Sequence, residues 1–333
     1  MIPGGSEEKA RATFAGILGI DGKNNWDNAF VVRHEAEKYN QYFKSDDSSK
    51  NKYRQSFRIL EKRELCPDTY HFTIEAPLVA AKIQAGQFII VRPTDHSERI
   101  PLSICGWDRG RGTINIIVMA AGRTSREITQ ASVGSRLADI VGPLGTRSHV
   151  KKHDGTCVVI GGGYGTGAVI PTARDLKALG NKVVGIVGAR NEKLLLMVDE
   201  LRDVCDEVIV TTNDGTAGIK GFVTHAMEAL LKRGEKLAHV LAVGPVPMMI
   251  AVSNMTKPLG VETYVSLNAI MVDGTGMCGS CRVLVGGETK FACFHGPDFD
   301  GHKVDFDQLM KRQKMFVSEE RQAMAYAENA GGR

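Results

Sequence analysis

The sequence has no apolar run of the about 18 residues that a membrane-crossing helix needs. Its start, Met1 to Gly5 followed by Ser6, Glu7, Glu8 and Lys9, lacks the apolar core of a secretory signal. No membrane span is expected, and a cytoplasmic location is the default reading. Charge of one sign is scarce too: 42 Lys and Arg against 38 Asp and Glu leave a formal net charge of +4. That balance does not suggest a nucleic acid or an anionic membrane as a partner. Cysteine is sparse, seven in all, and unevenly spread. Cys66, Cys105, Cys157 and Cys205 stand singly among apolar neighbours and read as small buried hydrophobes. An odd count in a cytoplasmic chain argues against a disulfide framework, and the grouped Cys278, Cys281 and Cys293 argue for metal or redox chemistry.

The 333 residues allow two or three domains with real cores. Residues 1–52 are mixed and polar and end in the run Lys44 to Lys50. Within them, Ala29 to Phe43 has helical spacing, with Phe30, Val31, His34 and Tyr42 on one face. The segment reads as an extension or docking arm. Residues 53–150 carry strand signals at short spacing: Tyr70 to Ile74, Gln87 to Val91 and Thr113 to Val118. Glycine and proline punctuate them, as in a small antiparallel barrel.

From Thr156 the rhythm changes to strand, glycine turn, helix, strand. Strands are expected at Cys157 to Ile160, Lys182 to Val187, Glu207 to Thr212 and His239 to Val243. Helices are expected at Thr166 to Leu179, Phe222 to Leu231 and Met248 to Met255. This is the pattern of a doubly wound parallel sheet over residues 151–265. The remainder, 266–333, is rich in glycine and cysteine and closes with a helical tail after Asp305.

Gly161, Gly162, Gly163, Gly165 and Thr166 lie between the first of these strands and its helix. Glycines there let backbone approach a phosphate, and the helix N-terminus supplies N–H donors. The second strand ends at Arg190, without an acidic residue at its tip. Arg190 suits adenine, ribose or a 2′-phosphate, so NAD and NADP both stay open. Asn213 and Asp214 follow the third strand, and Gly244 and Pro245 the fourth. These loops sit where open parallel sheets bind ligands, and are expected to line a nicotinamide site.

In the barrel, Arg99-Ile100-Pro101-Leu102-Ser103 offers a cation for a pyrophosphate and, at Ser103, a hydroxyl for a flavin N5. A later loop, Gly122-Arg123-Thr124-Ser125, offers further hydroxyls. The most specific feature is Asp-x4-Cys-x2-Cys-x11-Cys, formed by Asp273, Cys278, Cys281 and Cys293. It is the plant-type [2Fe–2S] spacing with an aspartate in the first cysteine's place. A zinc site is the rival, with His295 or His302 as a fourth ligand.

A barrel with Arg-x-Pro-Leu-Ser followed by a glycine-turn α/β domain resembles the ferredoxin–NADP reductase superfamily. Further segments narrow the resemblance: Gly161 to Gly163 with Pro171, Gly188-Ala189-Arg190, Gly244 to Met249, Asp273 to Cys281, and Phe299 to Asp307. Over roughly 53–315 the chain is similar to the small subunit of the electron-bifurcating NADH-dependent reduced ferredoxin:NADP oxidoreductase. That family is also called sulfide dehydrogenase beta subunit, and the electron-transfer subunit of dihydroorotate dehydrogenase B is its cousin. The resemblance implies FAD on the barrel, NAD(H) on the α/β domain, and a [2Fe–2S] cluster held by Asp273, Cys278, Cys281 and Cys293. It also implies a larger, glutamate-synthase-like flavin and iron–sulfur partner subunit, and ferredoxin as a further partner. The cousin uses four cysteines, so Asp273 favours the first family. Two departures stand out: the turn reads Tyr164-Gly165-Thr166-Gly167-Ala168, and residues 1–52 have no counterpart. The alternatives are a dihydroorotate dehydrogenase-type or hydrogenase-type complex, a stand-alone flavin reductase, and a redox sensor.

Overall fold

A computed structural model of the chain describes residues 57–330, with side chains to Ala325. The helix expected at Ala29 to Phe43 lies outside the described residues.

The first layer is an antiparallel sheet of six strands: β1 (Ile59–Cys66), β2 (Thr69–Glu75), β3 (Phe88–Arg92), β4 (Ile100–Asp108), β5 (Thr113–Met119) and β6 (Asp139–Leu144). Two helices interrupt them, α1 (Pro77–Lys82) and α2 (Arg123–Gln130). The strand order is β1-β2-β5-β4-β3-β6. The chain ahead of β6 folds back on β1, with Ile59 N–H donating to Ser135 O and Gly134 N–H to Ile59 O. This contact joins the two ends of the sheet and makes it a barrel. Alternation explains its core. Ile114, Ile116 and Val118 of β5 point inward with 0, 0 and 1% exposure, against Phe72, Ile74, Ile89 and Ile104.

The second layer is a seven-stranded sheet formed by β7 (Thr156–Gly162), β8 (Lys182–Ala189), β9 (Glu207–Thr212), β10 (Ile219–Lys220), β11 (Leu237–Val243), β12 (Glu262–Ser266) and β15 (Asp298–Asp300). Its order is β10-β9-β8-β7-β11-β12-β15, parallel except for the last pair. Helices α3 (Gly165–Ala178), α4 (Val198–Arg202), α5 (Val223–Lys232) and α6 (Val246–Thr256) cover it on both faces. Continuous burial of all seven β7 residues is what a central parallel strand requires. Among the described residues, the expected strands and helices are all present. Three sheet members were not read from the sequence: the two-residue β10, β12 and the three-residue β15.

Between β12 and β15 lies a glycine-rich loop and a hairpin, β13 (Arg282–Val285) with β14 (Glu288–Phe291), then the short helix α7 (Ala292–His295). The turn, Gly286-Gly287, has φ of +62° and +82°. Two positive φ values in a two-residue loop are what a twisted hairpin demands, and glycine takes them without strain. The expected helical tail is α8 (Phe306–Gln313) and α9 (Val317–Ala330). Asp305 caps α8, its Oδ1 accepting from Gln308 N–H at 2.8 Å.

Candidate functional site

Strand β4 carries Pro101, Leu102 and Ser103 onto one wall of a cavity of about 310 Å³ between the barrel and the parallel sheet. Phe88, Cys105 and Ile117 of the barrel share that wall. Tyr164, Ala168, Val243 and Gly244 come from the α/β layer, and Ser266, Asn268 and Pro297 from the segments leading to and from the cysteine loop. Burial pushes the Cys105 thiol up to about 12, so it lines the cavity as a neutral group. Arg99 lies just before β4, 45% exposed, with its guanidinium 3.9 Å from Asp139.

Gly122, Thr124 and Ser125 form the first turn of α2 rather than the loop expected from the sequence. The Ser125 hydroxyl accepts from Ala121 and Gly122 N–H at 3.0 and 2.9 Å, which ties the helix start together. Thr124 Oγ1 is buried and has no hydrogen-bond partner. A Cβ on Gly122 would meet nothing within 4 Å. A helix N-terminus with open space and an unsatisfied hydroxyl suits an anionic group such as a flavin pyrophosphate.

The glycine turn divides by role. A Cβ on Gly161 would come within 2.4 Å of Thr166 Cα, one on Gly162 within 2.6 Å of Met248 Sδ, and one on Gly165 within 2.2 Å of Val243 O. These three are buried and serve close packing of α3 on the sheet. Gly163 has φ +57° and faces open space, and no side chain caps the N-terminus of α3. Thr166 is buried, its hydroxyl donating to Gly163 O at 2.9 Å. Arg190, at the tip of β8, is joined to the next loop by Asn213 N–H to Ala189 O at 3.1 Å and Asp214 N–H to Arg190 O at 3.3 Å. The Arg190, Asn213 and Asp214 side chains are exposed along one rim. Gly244 is buried beside Gly162, and Pro245 opens α6. Pro101, Leu102 and Ser103, read from the sequence for a flavin, and Gly244, read for a nicotinamide, line one cavity. Nothing in the sequence was a reason to add Cys105, Ser266 or Asn268, and Tyr164 read as a departure rather than a lining residue.

In the cysteine loop, Gly274, Gly276 and Gly279 have φ of +78°, +87° and +66°. Gly274 also packs so closely that a Cβ would lie 2.7 Å from Ile90 and 2.8 Å from Leu144 of the barrel. Cys281 and Cys293 are buried with their sulfurs 3.1 Å apart, and Cys278 is exposed. The hydrogen bond between them pulls the Cys281 thiol down to about 7, and the same bond together with burial pushes Cys293 up. Backbone N–H groups point at sulfur, Ser280 at Cys278 and Cys293 at Cys281, each at 3.5 Å. Asp273 lies at the mouth of the loop, where it accepts from Thr275 and Cys278 N–H, both at 2.7 Å. The structure brings two of the four expected ligands, Cys281 and Cys293, into contact, with N–H groups aimed at sulfur and with Cys278 and Asp273 on the same glycine-rich loop; that donor set suits a thiolate-held cluster. The histidines considered for zinc are engaged elsewhere: His295 Nδ1 accepts from Phe291 N–H, and His302 Nε2 meets Thr256 Oγ1 at 2.9 Å.

Residues 268–305 match the iron–sulfur cluster binding domain of dihydroorotate dehydrogenase B. A Thermotoga maritima homologue of the electron-transfer subunit of dihydroorotate dehydrogenase B (NAD(+)) is 40% identical over 79% of this chain and 92% of its own. The Streptococcus thermophilus electron-transfer subunit is 30% identical over 74% of this chain and 96% of its own. A solved structure from work on flavin-based electron bifurcation by the NADH-dependent reduced ferredoxin–NADP oxidoreductase has a TM-score of 0.76 at 40% identity. It covers 80% of this chain and 96% of its own. Among the described residues no helix is long and apolar enough to cross a membrane. The chain belongs to the family of flavin and iron–sulfur electron-transfer subunits that includes that of dihydroorotate dehydrogenase B and its homologues.

Proposed function

We propose that this chain exchanges hydride between NAD(H) and FAD and passes single electrons through a [2Fe–2S] cluster to a larger partner subunit, within an electron-bifurcating ferredoxin and NAD(P) system. The observation that carries the reading is the shared wall of the 310 Å³ cavity: Ser103 of the barrel, Gly244 of the nucleotide sheet, and Asn268 and Pro297 flanking the cysteine loop all line it. One cavity thus touches the elements that would hold each of the three groups.

When bound, FAD converts a two-electron hydride into single electrons, and the cluster carries them one at a time. The chain's own residues position and shield. Arg99, Gly122, Thr124 and Ser125 hold the flavin's pyrophosphate, with the Thr124 hydroxyl gaining the partner it lacks. Pro101, Leu102 and Ser103, which line the cavity, would seat the ring, with the Ser103 hydroxyl available to its N5. Gly163 and Thr166 meet the nucleotide's phosphates, Arg190, Asn213 and Asp214 its adenosine end, and Gly244 and Pro245 its nicotinamide. Asp273, Cys278, Cys281 and Cys293 hold the two irons. Cys278 is exposed, so a cluster held there would be accessible to a partner through that ligand.

Anaerobic titration with NADH and NADPH tests this directly. NADH is expected to bleach the flavin faster and at lower concentration. Preference for NADPH would reassign the nucleotide to Arg190 and a 2′-phosphate. Purification of the chain without a larger flavoprotein would favour a stand-alone reductase.

A further inference from the structure

The parallel sheet has a second polar cluster, at the end of its strands away from the glycine turn. His239, on β11, pairs with Glu262 of β12 on one side and Cys157 of β7 on the other. His153 reaches the same place from the segment between the barrel and β7. His239 is 1% exposed, and its Nδ1 is buried with no hydrogen-bond partner. The His153 side chain is 5% exposed, and its Nε2 is in the same condition. The two rings lie 4.8 Å apart. One nitrogen from each and one Glu262 oxygen all lie within 4.8 Å of one another.

The cluster is braced. His153 N–H donates to Asn181 Oδ1 at 2.8 Å, and Asn181 Nδ2 donates to Lys151 O at 3.0 Å and Leu176 O at 2.9 Å. Tyr264 Oη donates to Glu262 Oε1 at 3.1 Å, and its ring stacks on His149 at 4.0 Å. Lys151 Nζ lies 2.8 Å from Glu262 Oε2 but is 60% exposed, free to swing into solvent. Buried ring nitrogens without partners are costly, and two in one cluster with a carboxylate ask for a shared cation.

We propose that His153, His239 and Glu262 form a zinc-type divalent metal site at the base of the nucleotide sheet, separate from the cysteine loop. Two imidazoles and a carboxylate are a common zinc donor set, leaving a fourth position for water. Bonds of about 2.0–2.2 Å require the three groups to draw together by roughly 1 Å, which the partly exposed Glu262 side chain can supply. The metal would clip the connection from β6 to β7 onto β11 and β12. Its role would be to hold the barrel against the sheet, not to carry electrons.

The test uses the whole chain with its flavin and cluster, treated with a chelator and titrated anaerobically with zinc chloride. One zinc per chain is expected beyond the cluster iron, with only nitrogen and oxygen neighbours in zinc-edge X-ray absorption. Zinc should raise the unfolding temperature of the wild type. His153→Gln and Glu262→Gln should each weaken zinc binding by at least about tenfold and abolish that rise, leaving flavin reduction by NADH and the cluster spectrum unchanged. These two variants decide the matter should His239→Gln fail to fold. No zinc bound, equal binding in both variants, or sulfur in the zinc shell would overturn the proposal.

Discussion

The Cys281 and Cys293 sulfurs meet at 3.1 Å because a hairpin brings together residues on either side of it. Arg282 pairs with Phe291 and Val285 with Glu288 around the Gly286-Gly287 turn, so the two cysteines sit at the open end of the ladder. Cys293→Ala should therefore remove the iron, while Cys205→Ala, on the far side of the nucleotide sheet, should keep it. Iron content and the visible spectrum after anaerobic preparation check this. Equal iron in both variants would take Cys293 out of the ligand set.

Asp273 has two demands on its carboxylate, the loop's own N–H groups and the proposed iron. A carboxylate is a harder ligand than a thiolate, so an exchange changes electron donation to one iron. Asp273→Cys is expected to keep a cluster with a shifted potential and paramagnetic resonance signal. Asp273→Ala should lose most of the cluster and keep FAD. Identical potentials and spectra in all three proteins would leave Asp273 as a turn residue only.

The glycines at the nucleotide turn should separate by function. A Cβ on Gly167 would lie 2.3 Å from Ile117 Cδ1 and 3.1 Å from Cys105 Cβ, between helix and barrel. Gly167→Ala should cost about 1–3 kcal/mol by overpacking. Gly163→Ala meets no atom but must hold φ +57°, a cost of about 1 kcal/mol. Its larger effect should be a raised KM for NADH. Denaturant unfolding and steady-state kinetics of both variants read the two effects apart. A destabilised Gly163→Ala with normal KM would contradict the assignment.

These positions also show what was legible. Strong periodicity exposed β5, β7 and α3, since alternation or a full apolar run leaves few other choices. The start of α2 was read as a loop because its sequence, Arg-Thr-Ser-Arg-Glu-Ile-Thr-Gln, buries only Thr124, Ile128 and Thr129. The β13–β14 hairpin carries a signal of its own, two glycines between short β-prone runs, each only four residues long. Strand β15 has three residues, too few for any pattern. The cavity joining β4, Gly244 and Pro297 depends on packing between distant segments, which sequence spacing does not encode. The metal-type cluster at His153, His239 and Glu262 depends on strand register in the same way.

Asp298 offers a pH test of the joint between the sheet and the barrel. It is buried at 5% exposure and accepts from Ser148 Oγ at 2.6 Å. Burial raises its pKa above the ordinary 3.8 despite that bond. Between the unfolded and folded values the native state holds the extra proton, so stability falls as pH rises through that window and stays lowered above it. Asp298→Asn keeps an acceptor oxygen and removes the charge. Its Tm should exceed that of the wild type at neutral pH, with the gap shrinking as pH falls toward 3.8. A gap independent of pH would mean that folding does not shift the Asp298 pKa.

The central claim is that one chain holds the flavin and the cluster within electron-transfer reach of a nicotinamide site. The most direct measurement is anaerobic reduction of the purified chain by NADH, followed together by flavin absorbance, paramagnetic resonance and iron assay. The account predicts about two irons per chain, as a [2Fe–2S] cluster requires, flavin bleaching on addition of NADH, and a reduced-cluster signal that follows the bleaching. Stoichiometric zinc at the cysteines without iron, or a flavin that NADH reduces while the cluster stays oxidised, would contradict it.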